Sequence, residues 1–155
     1  MVSIPPKLQE LPTVHRGADD ADIPAVMAKA VREGLVGTAS GYGAALFYDV
    51  DAYRSTLAAL NDTFGEHFVH CKAVKSNPLK WAMRESVNAG LGLECASMNE
   101  VYHSLQSGAP SAHVIFDSPC KTRADIRKCF ELGVHINCDN LAEVCPSLPA
   151  DSATR

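Results

Sequence analysis

The sequence predicts an α/β fold on parallel strands, and three observations carry that prediction. Strand-like runs at 67–75 (HFVHCKAVK), 91–96 (LGLECA), 112–117 (AHVIFD) and 133–138 (GVHINC) alternate with helix-like runs at 79–89, 98–107, 122–132 and from 140. The strand centres lie about 21 residues apart, a short step but enough for a strand and a crossover helix. Helix boundaries are also marked. Ser97-Met-Asn-Glu100 reads as a capping box, Thr122-Arg-Ala-Asp125 and Asn140-Leu-Ala-Glu143 are similar, and Gly90, Gly108 and Gly133 stand where helices should stop. Such alternation implies a parallel sheet, either open or closed as a barrel.

Taken in order, residues 1–21 read as a flexible lead, with Pro5, Pro6 and Pro12 and no periodicity. Asp22 before Ile23-Pro24 starts a helix whose apolar positions are Ile23, Val26, Met27, Ala30 and Val31, and Gly34 can end it. The glycines of GTASGYGA (37–44) do not form a phosphate-binding pattern opening a helix. Residues 44–50 (AALFYDV) read as a short strand. Asp49 or Asp51 then caps a helix with Val50, Tyr53, Leu57, Leu60 and Phe64 on one face. From residue 67 the regular alternation takes over.

The totals exclude several classes. The 155 residues suffice for one domain with a real core, and 46% hydrophobic and 21% charged residues are ordinary for a globular chain. A net charge of -4 and a pI near 5.8 give no electrostatic reason for a nucleic-acid or anionic-membrane partner. No apolar run approaches the roughly 18 residues of a membrane span. The N-terminal stretch lacks the pattern of a secretory signal, and its early acidic residues argue against a transit peptide. Six cysteines without a C-x-x-C pair read as small thiols in a reducing compartment, and no metal site is expected.

The stretch HCKAVKSNPLK (70–80) ends its strand on Lys75, before a Ser-Asn-Pro turn. By alternation Val69, Cys71, Ala73 and Lys75 share one face. In parallel architectures ligand sites form at the carboxyl ends of the strands. Partial desolvation there would lower the lysine pKa and free its amine for Schiff-base chemistry. A solvated strand end is the plainer alternative. His70 and Lys72, on the opposite face, fit poorly under covering helices.

AVKSNP resembles the lysine motif of the pyridoxal-phosphate decarboxylases built on an alanine-racemase-like barrel, which act on diaminopimelate, ornithine and arginine. Further blocks follow in the family's order: ALFYDV, GLGLECAS with a glutamate soon after, VIFDSPCK, and ELGVHINCDNLAEV. The resemblance implies a partial (β/α)8 TIM-like barrel, about its first four βα units with parallel strands, over residues 22–145. It also implies pyridoxal 5'-phosphate as cofactor, attached through Lys75, with Ala73 close to its ring. Glu94 stands where the family usually has aspartate, near the cofactor. Glu100 matches a family glutamate, although the Ser97 capping box explains it equally well. Asp117, Ser118 and Lys121 either line the barrel mouth or form a solvated loop.

The implied reaction is decarboxylation of a small amino acid, with the diaminopimelate type of lysine biosynthesis first. The ornithine or arginine type and a non-catalytic relative that binds a partner are the alternatives. An amino-acid racemase on the same barrel fits less well, because Asn77-Pro78 follows the lysine. A cytoplasmic location is implied, with a plastid left open, and a homodimer for the full-length relative. The family's glycine-rich phosphate loop, ring-nitrogen glutamate and C-terminal β-domain have no match in this sequence. Residues 146–155 leave the pattern and read as a disordered tail produced by truncation, so the chain is expected to be inactive alone.

Overall fold

The computed structural model describes residues 23–37, 46–64 and 67–144. The lead 1–21, the capping Asp22, most of the glycine-containing segment 37–44 and the tail 146–155 lie outside the described residues. The chain divides into two units, Met1–Gly65 and Glu66–Arg155.

In the first unit, helix α1 (Ile23–Arg32) forms where the 3.6-residue pattern places it, and only Ala30 is buried. Its end follows from Gly34, whose φ of 69° is the left-handed conformation that lets Leu35 N–H return to Ala30 O at 2.9 Å. Helix α2 (Val50–Thr63) starts at Asp49, whose Oδ1 accepts from Ala52 N–H at 2.9 Å. Leu57 is its buried residue, flanked by half-buried Val50, Tyr53, Leu60 and Phe64 on the expected face. The strand expected over 44–50 is not found where the chain is described. Residues 46–49 are irregular and exposed, because Asp49 is committed to capping α2.

The second unit contains the expected parallel sheet. Strands β1 (Cys71–Ala73), β2 (Gly92–Cys95), β3 (Val114–Asp117) and β4 (His135–Asn137) lie in the order β1-β2-β3-β4, all parallel. The connections carry helices α3 (Lys80–Asn88), α4 (Met98–Gln106) and α5 (Arg123–Leu132), and α6 (Leu141–Val144) follows β4. Thr122 and Asp125 make the expected capping box in full, and Gly133, at φ 70°, ends α5.

Register separates the sheet into two faces. Leu93, Cys95, Val114 and Phe116 project to one side and are no more than 2% exposed. They pack with Val74, Met83, Val101 and Cys129 in the main core. Burying one such aliphatic or aromatic side chain contributes about 1.5–3 kcal/mol. The other face carries Cys71, Ala73, Glu94, Ile115, Asp117 and Asn137, half-buried or exposed, and is the more polar one.

Two strand-level expectations are corrected. The run at 67–75 forms a strand only over Cys71–Ala73, and Val74–Ser76 is a 3₁₀ turn. Local bonds end the ladder: Ser76 Oγ donates to Ala73 O at 2.7 Å and Asn77 N–H to Val74 O at 3.1 Å. Lys75 is therefore two residues beyond the strand, and alternation does not fix its direction. Cys138, which closes the strand-like run 133–138, instead follows β4 and is exposed.

Candidate functional site

The site is built at the carboxyl ends of β1 and β2. Ala73 is the register partner of Glu94, which puts both on the polar face. The 3₁₀ turn after Ala73 carries Lys75 back toward that face, and its Nζ lies 3.4 Å from Glu94 Oε1. The Lys75 side chain is 62% exposed and that of Glu94 19%. The ammonium is thus not desolvated as the alternation argument expected. What the fold supplies is an accessible amine beside a partly shielded carboxylate. An exposed pair of this kind adds little stability, about 0–1 kcal/mol, so its interest is chemical.

The neighbouring groups are quiet. Cys71, on the same face, has its thiol pKa raised by burial and by the charge of Glu94, so it stays protonated at neutral pH beside the amine. Burial pushes Cys95 up to about 11 despite the Ser104 hydroxyl 3.2 Å away, and Glu100 and Glu94 add to the rise. Lys75 is therefore the group on this face disposed to attack a carbonyl.

Glu100 is placed differently. Its Oε2 accepts from Ala96 N–H at 2.6 Å, while Ser97 Oγ accepts from Glu100 N–H at 3.3 Å. The reciprocal contact reaches Ala96, one residue before the cap, so the pair is a variant of the predicted box. Of Lys75, Ala73, Glu94 and Glu100, the structure brings the first three together. Glu100 instead secures the start of α4.

Sequence reasoning underrated three residues. Lys121 was read as a mouth or loop residue, but its side chain is fully buried. Its Nζ is 2.9 Å from Glu143 Oε2, 3.3 Å from Asp139 Oδ2, and bonded to Ser118 O. Burial acts to lower its pKa, but bonds to Glu143 and Asp139 outweigh that and hold it above the ordinary value. The Lys121 contact in turn holds Glu143 below the ordinary carboxylate range. Lys72, the apparent misfit of β1, donates to Asn77 O at 2.7 Å, and His103 Nε2 meets Pro78 O at 3.0 Å. The misfit of a lysine on the helix-covered side of a strand was the available signal for Lys72. Nothing local marked His103. Among the described residues, no cluster of potential metal ligands occurs and no helix is long and apolar enough to cross a membrane.

Comparison with known proteins fits this geometry. Residues 50–146 match the family described as "Pyridoxal-dependent decarboxylase, pyridoxal binding domain". The diaminopimelate decarboxylase of Deinococcus radiodurans is 30% identical over 114 residues, covering 73% of this chain and 30% of that protein. Antizyme inhibitor 1 of Pongo abelii is 33% identical over 72 residues, covering 46% of this chain and 16% of that protein. The lysine/ornithine decarboxylase of Vibrio vulnificus, solved with putrescine, superposes with a TM-score of 0.64 and 26% identity. That match covers 81% of this chain and 32% of that one. This chain therefore spans about a third or less of the length of these relatives. The four parallel βα units are the partial barrel that the sequence resemblance implied. With its family match extending through α2, the sheet and the lysine turn, the chain belongs to the pyridoxal-dependent decarboxylases, carrying the N-terminal portion of their pyridoxal-binding domain.

Proposed function

We propose that this chain serves a pyridoxal-phosphate-dependent amino-acid decarboxylase of the diaminopimelate type, with Lys75 as the point of cofactor attachment. The observation that carries the reading is the Lys75 amine, accessible and 3.4 Å from Glu94 at the carboxyl end of a parallel sheet. The residues present fit the aldehyde end of the cofactor: a primary amine, a small neighbour at Ala73 and a carboxylate to hold or accept a proton at Nζ. When bound, the pyridoxal ring supplies the electron sink that lets a bond at an amino-acid Cα break.

The chain's own residues contribute position and charge. Glu94, longer by one methylene than the family's usual aspartate, keeps the Lys75 ammonium at the strand ends. On the β1–β2 face beside Glu94, Ala73 carries no nucleophile and Cys71 is protonated, so no second thiol or amine competes. Glu100 supports the site through the start of α4 rather than by touching the reacting group. We infer that the 155-residue chain alone binds the cofactor weakly and does not turn over substrate, since the sequence offers no glycine-rich loop opening a helix for the phosphate. A small amino acid as substrate, a homodimer for the full-length relative and a cytoplasmic site accord with this reading. The free cysteines Cys71, Cys95, Cys120, Cys129 and Cys138 suit such a reducing compartment.

The test is reductive labelling. Pyridoxal phosphate followed by borohydride, with peptide mapping, should modify Lys75 ahead of Lys80 and Lys128. Uniform labelling would return Lys75 to an ordinary surface lysine. Diaminopimelate should protect Lys75 better than ornithine or arginine; the reverse order would favour the ornithine type, as the Vibrio vulnificus likeness does. A second reading, a non-catalytic relative that binds a partner, is favoured by the likeness to antizyme inhibitor 1, and it would gain if Lys75 showed no preference at all.

A further inference from the structure

We propose that Lys72 is a positioning residue whose ammonium, together with His103, clamps the turn that presents Lys75. The inference rests on the reading of Lys75 as the attachment point and extends it to residues with no role so far.

Lys72 lies in β1 opposite Leu93, which is fully buried, so it occupies the side of the sheet that the helices cover. Its Nζ donates to Asn77 O at 2.7 Å and more distantly to Ala73 O at 3.4 Å. Both acceptors are backbone carbonyls of the turn. Burial depresses its pKa below the ordinary lysine value, so placing a charged amine here costs stability that an apolar side chain of similar shape would not. What the position gains is a bond across Asn77, closing a loop with Lys75 inside it.

Other contacts act on the same loop. Ser76 Oγ donates to Ala73 O, Asn77 N–H to Val74 O, and Leu79 N–H to Asn77 Oδ1 at 3.2 Å. From the helix side, His103 of α4 reaches Pro78 O, which can only accept, so Nε2 carries the proton. The turn is thus held by the sheet through Lys72 and by α4 through His103. A lysine with long rotatable stems is only as well placed as the backbone that bears it. Fixing residues 73–79 fixes where the Lys75 amine can reach.

The experiment compares the 155-residue chain with its Lys72→Met and Lys72→Arg variants. Methionine keeps the apolar stem and removes the donors, whereas arginine keeps the charge and the donors. Amide exchange at Asn77 and Leu79 should accelerate about tenfold in Lys72→Met, the worth of one hydrogen bond from a charged donor. Exchange at Val101 in α4 and at its C-cap Ser107 should be unchanged. Labelling of Lys75 relative to Lys80 by pyridoxal phosphate and borohydride should fall by a similar factor. Lys72→Arg should restore both. The proposal is overturned if Asn77 and Leu79 keep their protection, if α4 loosens equally, or if arginine behaves as methionine does. If the exchange pattern appears while the parent chain shows no preference for Lys75, the clamp stands and the cofactor reading falls.

Discussion

Gly92 opens β2, and replacing it with alanine tests the sheet that positions Glu94. An added Cβ would lie 2.4 Å from His113 O and 2.6 Å from Cys71 Sγ. The thiol ends a short side chain and can rotate. The carbonyl is backbone, placed one residue before β3, and relieving that contact to the 3.0 Å minimum of real Cβ contacts requires a shift of about 0.6 Å. Such a shift must move β2 against β3, where Leu93 pairs with Val114 in the buried core. Overpacking of this kind costs about 1–3 kcal/mol, and a backbone obstacle puts Gly92→Ala at the upper end. For a unit of this size that is a fall of roughly 10–20 °C in Tm. The assay is thermal unfolding by far-ultraviolet circular dichroism at fixed protein concentration. Gly90→Ala is the comparison: its φ of 85° strains any side chain, but nothing lies within 4 Å, so about 1 kcal/mol is expected. Adding Cys71→Ala to Gly92→Ala should recover only a minor part, because His113 O remains. A Gly92→Ala chain as stable as the parent, or full rescue by Cys71→Ala, would refute the close-approach reasoning.

Other consequences concern charge, thiols and edges. Lys121→Met should lower Tm more than Lys128→Met, because Lys121 is fully buried against Glu143 whereas the Lys128–Glu131 pair is exposed; equal effects would deny the buried pair its role. Glu143 is held below its ordinary value of 4.5, so its contribution is present above that pH and lost as pH falls through the depressed value. Lys121 is held above 10.5, so its contribution is present below that pH and lost as pH rises through the raised value. Glu143→Gln should therefore flatten the acid limb of the Tm–pH profile, and an unchanged limb would contradict the assignment. At pH 8 a thiol with a pKa of about 11 is ionised to roughly one part in 10³, so iodoacetamide should reach exposed Cys120 and Cys138 long before Cys95; comparable rates by peptide mass would show that the core opens. A sheet with β1 and β4 at its edges should self-associate at rising concentration, and a strictly monomeric sedimentation profile would mean that those edges are protected.

The sequence by itself determined the order of the strands and α-helices from residue 67 onward, though not the extent of the strands. Capping at Thr122, the stops at Gly90, Gly108 and Gly133, and the switch between periods of two and 3.6 are local rules, and α3, α4 and α5 follow them within a residue or so. The lysine motif was equally legible, because a lysine before Ser-Asn-Pro is a local string. Tertiary structure decided the rest. The strand expected at 44–50 needed a ladder partner that periodicity cannot supply. Lys75 left the strand because turn bonds to Ala73 and Val74 outcompeted further pairing, and only the β1–β2 register shows that its amine meets Glu94. Glu100, ambiguous in sequence, accepts from Ala96 N–H at the start of α4. Lys121 and Glu143 are 22 positions apart, and His103 and Pro78 are 25 apart. Charges and donors that distant in sequence acquire partners only when the chain has folded, because burial, not spacing, makes an unpaired lysine costly.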